Sequence, residues 1–98
     1  PGEVASMLER HADIVQAVVV PAPNRLKAYV PHAFIVPRRD SGLDEDAVKQ
    51  FALANAPAYA HPRRVFFMDA LPLAGTNKID RKELCDRATE AAHAEGTA

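Results

Sequence analysis

The chain has 98 residues and a mass of 10.6 kDa, enough for one domain around one small core. Apolar types make up 48% of it, but 19 of these residues are alanine. A chain this size buries only about two-thirds of its unfolded surface, which excludes a two-layer catalytic cleft with its own nucleotide pocket. With 12 basic and 13 acidic residues the formal net charge is −1, so the basic excess of a nucleic-acid binder is missing.

The first element is a helix over Gly2 to Arg10, where Val4, Met7, Leu8 and His11 recur on one face. Ile14 to Val20 is short and β-branched, which reads as a strand stopped by Pro21. After a loop holding Pro23, Asn24 and Arg25, Ala33 to Val36 reads as a second strand, antiparallel to the first. Asp40, Ser41 and Gly42 form a turn, and the next helix starts at Ser41 or Asp44, either of which can cap it. Its stripe is Ala47, Val48, Phe51 and Ala52, and it ends before Pro57. Val65 to Met68 reads as a buried third strand, and Tyr59 before it as a packed or interface aromatic. A loop from Asp69 to Lys78 precedes a last helix, opened by Asp80 with Glu83 three residues on, as in a capping box. Leu84, Ala88 and Ala91 supply its inner face, and Gly96 to Ala98 should fray. The expected fold is α+β, in the order α-β-β-α-β-α: a small three-stranded mixed sheet with an antiparallel pair, flanked by helices.

Several activities are excluded at this stage. No apolar run approaches the ~20 residues of a membrane-spanning helix, and no basic-then-apolar leader opens the chain. The single cysteine, Cys85, cannot form an internal disulfide and fits a reducing, cytoplasmic setting. There is no GxGxxG and no Gly-rich loop ending in Lys-Ser/Thr. His11, His32, His61 and His93 stand far apart without ligand spacing, so no metal site is expected. Because it begins on Pro1, the chain reads as part of something longer.

The chemically informative stretch is Leu71-Pro72-Leu73-Ala74-Gly75-Thr76-Asn77-Lys78-Ile79-Asp80-Arg81. It is a polar hairpin or turn in which Gly75 and Asn77 are best able to take positive φ. Lys78 stands at its tip, with Leu71 and Ile79 as anchors. A lone lysine after a turn is most often a solvated surface residue. The alternative is a point charge presented to an oxyanion or phosphate. His61-Pro62-Arg63-Arg64 is a basic cluster that composition alone leaves as a solvated strand edge.

Pieces spread along nearly the whole chain resemble the C-terminal domain of the adenylate-forming superfamily: acyl- and aryl-CoA synthetases, peptide-synthetase adenylation domains and luciferases. They are Pro1 to Val4 with Leu8 and His11, Val15 to Val20, Pro31 to Val36, Ala58-Tyr59, Pro62, Val65 to Pro72, and Lys78-Ile79-Asp80-Arg81 with Leu84. They stand in order and at the right spacing. One departure lies at Asn77, where the family usually carries glycine, and Asn is the residue that most readily replaces glycine in left-handed geometry.

The resemblance implies that residues 1–98 are the mobile lid of an AMP-forming acid–CoA ligase, whose large N-terminal domain and hinge are not in this chain. It implies that Lys78 is the catalytic lysine for ATP-dependent adenylation of a small carboxylic acid. Arg64 would meet the 3′-phosphate of CoA. ATP, with Mg, and CoA would be substrates of the whole enzyme, none bound by this chain alone, which is expected to be inactive. Two rival readings stand beside this one: the lid of an adenylation domain that loads a carrier protein, and a non-catalytic α+β binding or dimerisation module.

Overall fold

The computed structural model describes residues 2–24, 28–56, 61–75 and 77–94. The readings at Pro57, Ala58, Tyr59 and Gly96 to Ala98 lie outside the described residues. In chain order the elements are α1 (Gly2–Glu9), β1 (Ile14–Asn24), β2 (Ala28–Pro37), α2 (Glu45–Asn55), β3 (Arg64–Phe67), β4 (Leu73–Ala74), β5 (Lys78–Ile79) and α3 (Arg81–Ala94). The main sheet runs β1-β2-β3, and β4 and β5 form a second, two-stranded one. β1 and β2 are antiparallel, whereas β2 and β3 are parallel, joined by the crossover that α2 provides. This is the expected α+β fold with a mixed sheet.

Both long strands run further than the prolines suggest. β1 continues through Pro21 and Pro23, and β2 begins before Pro31. The register puts Pro21 opposite Pro31. Two prolines can face each other only where an antiparallel pair exchanges no ladder hydrogen bonds. β1 is also an edge strand, where a missing amide costs the sheet nothing.

Strand alternation then divides the apolar residues between two cores rather than one. Ala17, Ala33, Ile35 and Val65 pack with Met7 and Leu8 of α1 and Val48 and Ala52 of α2. Val18, Val20, Phe34 and Val36 pack on the other face with Leu84 and Ala88 of α3 and with Leu71. Ile14 joins the first group although it stands three residues before Ala17, because a bulge between Ile14 and Gln16 resets the alternation. His11 meets Phe51 edge-on with ring centres 4.9 Å apart, joining α1 to α2. β3 is less buried than its composition suggests: Val65 is in the first core, but Phe67, at the end of an edge strand, is 39% exposed. On α3 the buried row is Leu84, Ala88 and Ala92, with Ala91 only half-buried.

The turns follow local chemistry. Asp40 (φ 61) and Gly42 (φ 69) bend the chain before α2. Of the two possible caps, Asp44 is the one used: its carboxylate accepts from the amide of Ala47 at 2.8 Å. Glu45 then ties α2 to the sheet, its Oε2 accepting from the amide of Val65 at 3.0 Å and pairing with Lys49 at 3.5 Å and Arg64 at 3.4 Å. Burial alone raises its pKa, but the Val65 amide, Lys49 and Arg64 outweigh that and hold the carboxyl below its ordinary range.

His32 is the buried polar residue of the sheet, 3% exposed, with its ring 5.8 Å from that of Phe66. Its Nδ1 has no hydrogen-bond partner among the described residues. Burial, helped by the charges of Arg64 and Arg63, lowers its pKa from 6.5. The unfolded chain therefore binds this proton more tightly, so stability falls as pH drops below 6.5 and levels off beneath the folded-state value. His32→Leu should flatten that part of the profile. Urea midpoints for both proteins across this range check it, and an unchanged acid-side fall in the variant would assign the proton elsewhere.

Candidate functional site

Residues 71–75 and 77–81 come together as a hairpin laid against the second core. Leu71, 6% exposed, anchors its start, and Ile79 packs partly against the same core at its end. The ladder pairs Leu73 with Ile79 and Ala74 with Lys78. Successive strand residues face opposite ways, so with Ile79 turned to the core, Lys78 is turned to solvent. The residue opposite Lys78 is the small Ala74.

Two left-handed residues make the turn possible. Gly75 has φ 56 and Asn77 has φ 64, the two positions marked by residue type alone. Past the hairpin, the amide of Asp80 donates to the carbonyl of Pro72 at 2.9 Å, closing the base. The Asp80 carboxylate accepts from the amide of Glu83 at 3.1 Å and caps α3. Only this half of the expected capping box forms, because the Glu83 carboxylate pairs with Arg87 at 2.8 Å instead.

Lys78 itself is exposed and forms no side-chain ion pair among the described residues. It is a point charge on a two-stranded support anchored to the second core, an arrangement suited to meeting developing negative charge on an incoming substrate.

Arg64 is placed elsewhere. It opens β3, paired in register with His32, and its guanidinium reaches Glu45 while lying 5.4 Å from the centre of the Phe66 ring. Arg81, three residues after Lys78, reaches the opposite edge strand instead: its Nη2 donates to the carbonyl of Val19 on β1 at 3.0 Å. Lys78 and Arg64 are thus not brought together into one site within this chain. Arg63 is exposed, and its amide donates to the carbonyl of Pro31 at 2.7 Å. His61 Nε2 lies 2.8 Å from the carbonyl of Ala56, and half-buried Cys85 packs on the second core. Among the described residues there is no group of three or more His, Cys, Asp or Glu placed to hold a metal. No helix there is long and apolar enough to cross a membrane.

Residue type alone did not reveal three features: the Glu45 clasp, the buried His32 with its unbonded Nδ1, and the reach of Arg81. The last had a signal. Arg81 and Lys82 put two positive charges at the positive end of a helix dipole, which is unfavourable unless something else holds them.

Residues 3–78 match the family model described as the AMP-binding enzyme C-terminal domain. The chain belongs to that family. The 4-coumarate–CoA ligase 5 of Oryza sativa subsp. japonica is 38% identical over 84 residues, covering 86% of this chain and 16% of that protein. The 4-coumarate–CoA ligase 1 of Arabidopsis thaliana is 39% identical over the same share of the chain and 15% of its own length. The chain therefore spans about one-sixth of the length of these curated relatives. Among solved structures, an anthranilate–CoA ligase in complex with anthranoyl-AMP superposes with a TM-score of 0.82 at 29% identity, over 95% of this chain and 19% of its own. ATP-bound MatB from Rhodopseudomonas palustris shares the fold, with a TM-score of 0.88 at 20% identity over 93% of this chain and 18% of its own. The family model ends on Lys78, the residue that the hairpin presents.

The turn geometry makes a specific demand at Asn77. Asn77→Gly should leave stability nearly unchanged, since glycine enters the left-handed region without a Cβ penalty. Asn77→Val should cost about 1–2 kcal/mol, because a β-branched residue is strained there. Chemical denaturation of the two variants checks this, and equal midpoints would mean that the hairpin does not hold φ 64 at this position in solution.

Proposed function

We propose that this chain is the mobile C-terminal domain of an AMP-forming acid–CoA ligase and that Lys78 is its catalytic lysine for adenylation. The observation that carries the reading is an outward-facing lysine on a hairpin, without an ion pair among the described residues, in a domain whose relatives are ligases of this kind. In the first half-reaction a carboxylate oxygen of the acid attacks the α-phosphorus of ATP. The bond to the pyrophosphate oxygen breaks, and acyl-AMP forms. Lys78 contributes positive charge beside the oxygens where negative charge accumulates, and the hairpin sets its position in advance. Mg accompanies the nucleotide, and no residue of this chain is assigned to it. In the second half-reaction the CoA sulfur attacks the acyl carbon, and AMP leaves. The domain turns between the two steps and carries Lys78 away before the thiol arrives.

The larger N-terminal domain of the enzyme supplies the acid pocket and most nucleotide contacts. Names among the relatives point to aryl acids such as 4-coumarate and anthranilate as the first substrates to try.

In the whole enzyme Lys78→Ala should slow adenylation by ~10²–10³, the usual loss for one preorganised charge donor. Thioester formation from supplied acyl-AMP should stay near wild type. Stability should move by no more than about 0.5 kcal/mol, as for most exposed side chains. Pyrophosphate release and CoA consumption, measured separately, decide it: equal losses in both steps would make Lys78 structural, and intact adenylation would remove it from the active site.

Arg64 and exposed Arg63 form the basic start of β3, and Arg64 is the residue we assign to the 3′-phosphate of CoA. Arg64→Ala should raise the KM for CoA while leaving that for dephospho-CoA and the adenylation rate almost unchanged. Parallel shifts for both thiols would instead give Arg64 a packing role through Glu45 and Phe66.

A further inference from the structure

We infer that Arg81 is a positioning residue for Lys78, holding the hairpin that carries it against the edge strand β1. The inference rests on the functional reading of Lys78; Arg81 closes the stretch that resembles the family and stands three residues past the end of the family model at residue 78.

The geometry runs from the sheet outward. Arg81 Nη2 donates to the carbonyl of Val19 at 3.0 Å, a solvent-exposed bond that spans 62 positions of sequence. Val19 belongs to β1, which has β2 on one side only, so this carbonyl is taken by a side chain rather than a further strand. Between Arg81 and Lys78 only two residues intervene, and both are held. Ile79 is paired with Leu73 and packed on the second core, and Asp80 is bonded through its amide to Pro72 and through its carboxylate to Glu83. A displacement at Arg81 is therefore passed to Lys78 through a segment with little slack.

Local helix chemistry favours another residue at this place. Arg81 is the first residue of α3, followed by Lys82, and positive charge at a helix N-terminus opposes the dipole. A residue that breaks a local rule while making a long-range contact is one whose position is compensated by tertiary structure. Lys82, its neighbour, pairs instead with Asp86 on the same helix at 3.4 Å. Nothing here places Arg81 against substrate; its effect passes through Lys78.

The test uses the whole ligase carrying Lys78→Ala, Arg81→Ala, Arg81→Lys, or Lys78→Ala with Arg81→Ala. Arg81→Ala should lower kcat for pyrophosphate release about tenfold, as expected for a modest misplacement of a catalytic group. The KM for ATP should change less, and thioester formation from supplied acyl-AMP should be unaffected. Arg81→Lys, which keeps a donor, should recover part of the loss, and it serves as the readout if Arg81→Ala folds poorly. In the Lys78→Ala background, removing Arg81 should cost nothing further. An equal fold-loss in both backgrounds would show that Arg81 acts on substrate by itself and overturn the inference. Full adenylation by Arg81→Ala, or equal loss of both half-reactions, would overturn it too. If Lys78→Ala alone leaves adenylation intact, the functional reading falls. If Lys78→Ala is impaired while Arg81→Ala is not, only the positioning role is lost.

Discussion

The centre of β2 is covered from both sides, and the rest of the domain is arranged around that constraint. His32 through Val36 are all nearly shut off from solvent, with Ala33 and Ile35 turned to one face and Phe34 and Val36 to the other. A strand buried on both faces needs helices on both, so α1 and α2 close the first face and α3 closes the second. α3 is joined directly to the hairpin that bears Lys78. The packing that completes the second core therefore also determines where the lysine stands. Small residues make this possible: Ala88 and Ala92 let α3 lie close to the sheet, while Leu84 and Leu71 fill the remaining depth.

Three strands leave two edges, and both are managed by side chains. On β1 the amide of Ala17 donates to the Glu9 carboxylate at 2.9 Å, Arg81 takes the carbonyl of Val19, and Pro21 and Pro23 offer no amide at all. On β3 the amide of Val65 is taken by Glu45. These contacts discourage pairing with another chain, and they also tie each helix to the sheet at a defined point. α1 is tied through Glu9, α2 through Glu45 and α3 through Arg81. Such ties limit sliding of the helices that a small apolar core would permit.

Much of this was legible in the residues. The helical stripe of α2, the Asp80 cap, the left-handed roles of Gly75 and Asn77, and the antiparallel pair each follow from local chemistry that acts within a few positions. The strand ends were not legible, because proline stops a strand only where the ladder needs its amide, and that depends on the partner. Nor was the division into two cores, since β-branched residues in succession do not reveal that both faces are covered. The apolar run likewise suggested a buried β3, but its place at the sheet edge leaves Phe67 partly in solvent.

Lys78 shows how the two levels combine. Local sequence determined that a lysine follows a turn of glycine and asparagine and precedes a capped helix, because turn and cap preferences act through the nearest backbone groups. Family resemblance in the same stretch marked that lysine out from other surface lysines. Tertiary structure alone decided that Ile79 faces the core and so turns Lys78 outward, that Arg64 is engaged with α2, and that Arg81 reaches β1. Those outcomes depend on contacts between residues up to 62 positions apart, which no local pattern encodes.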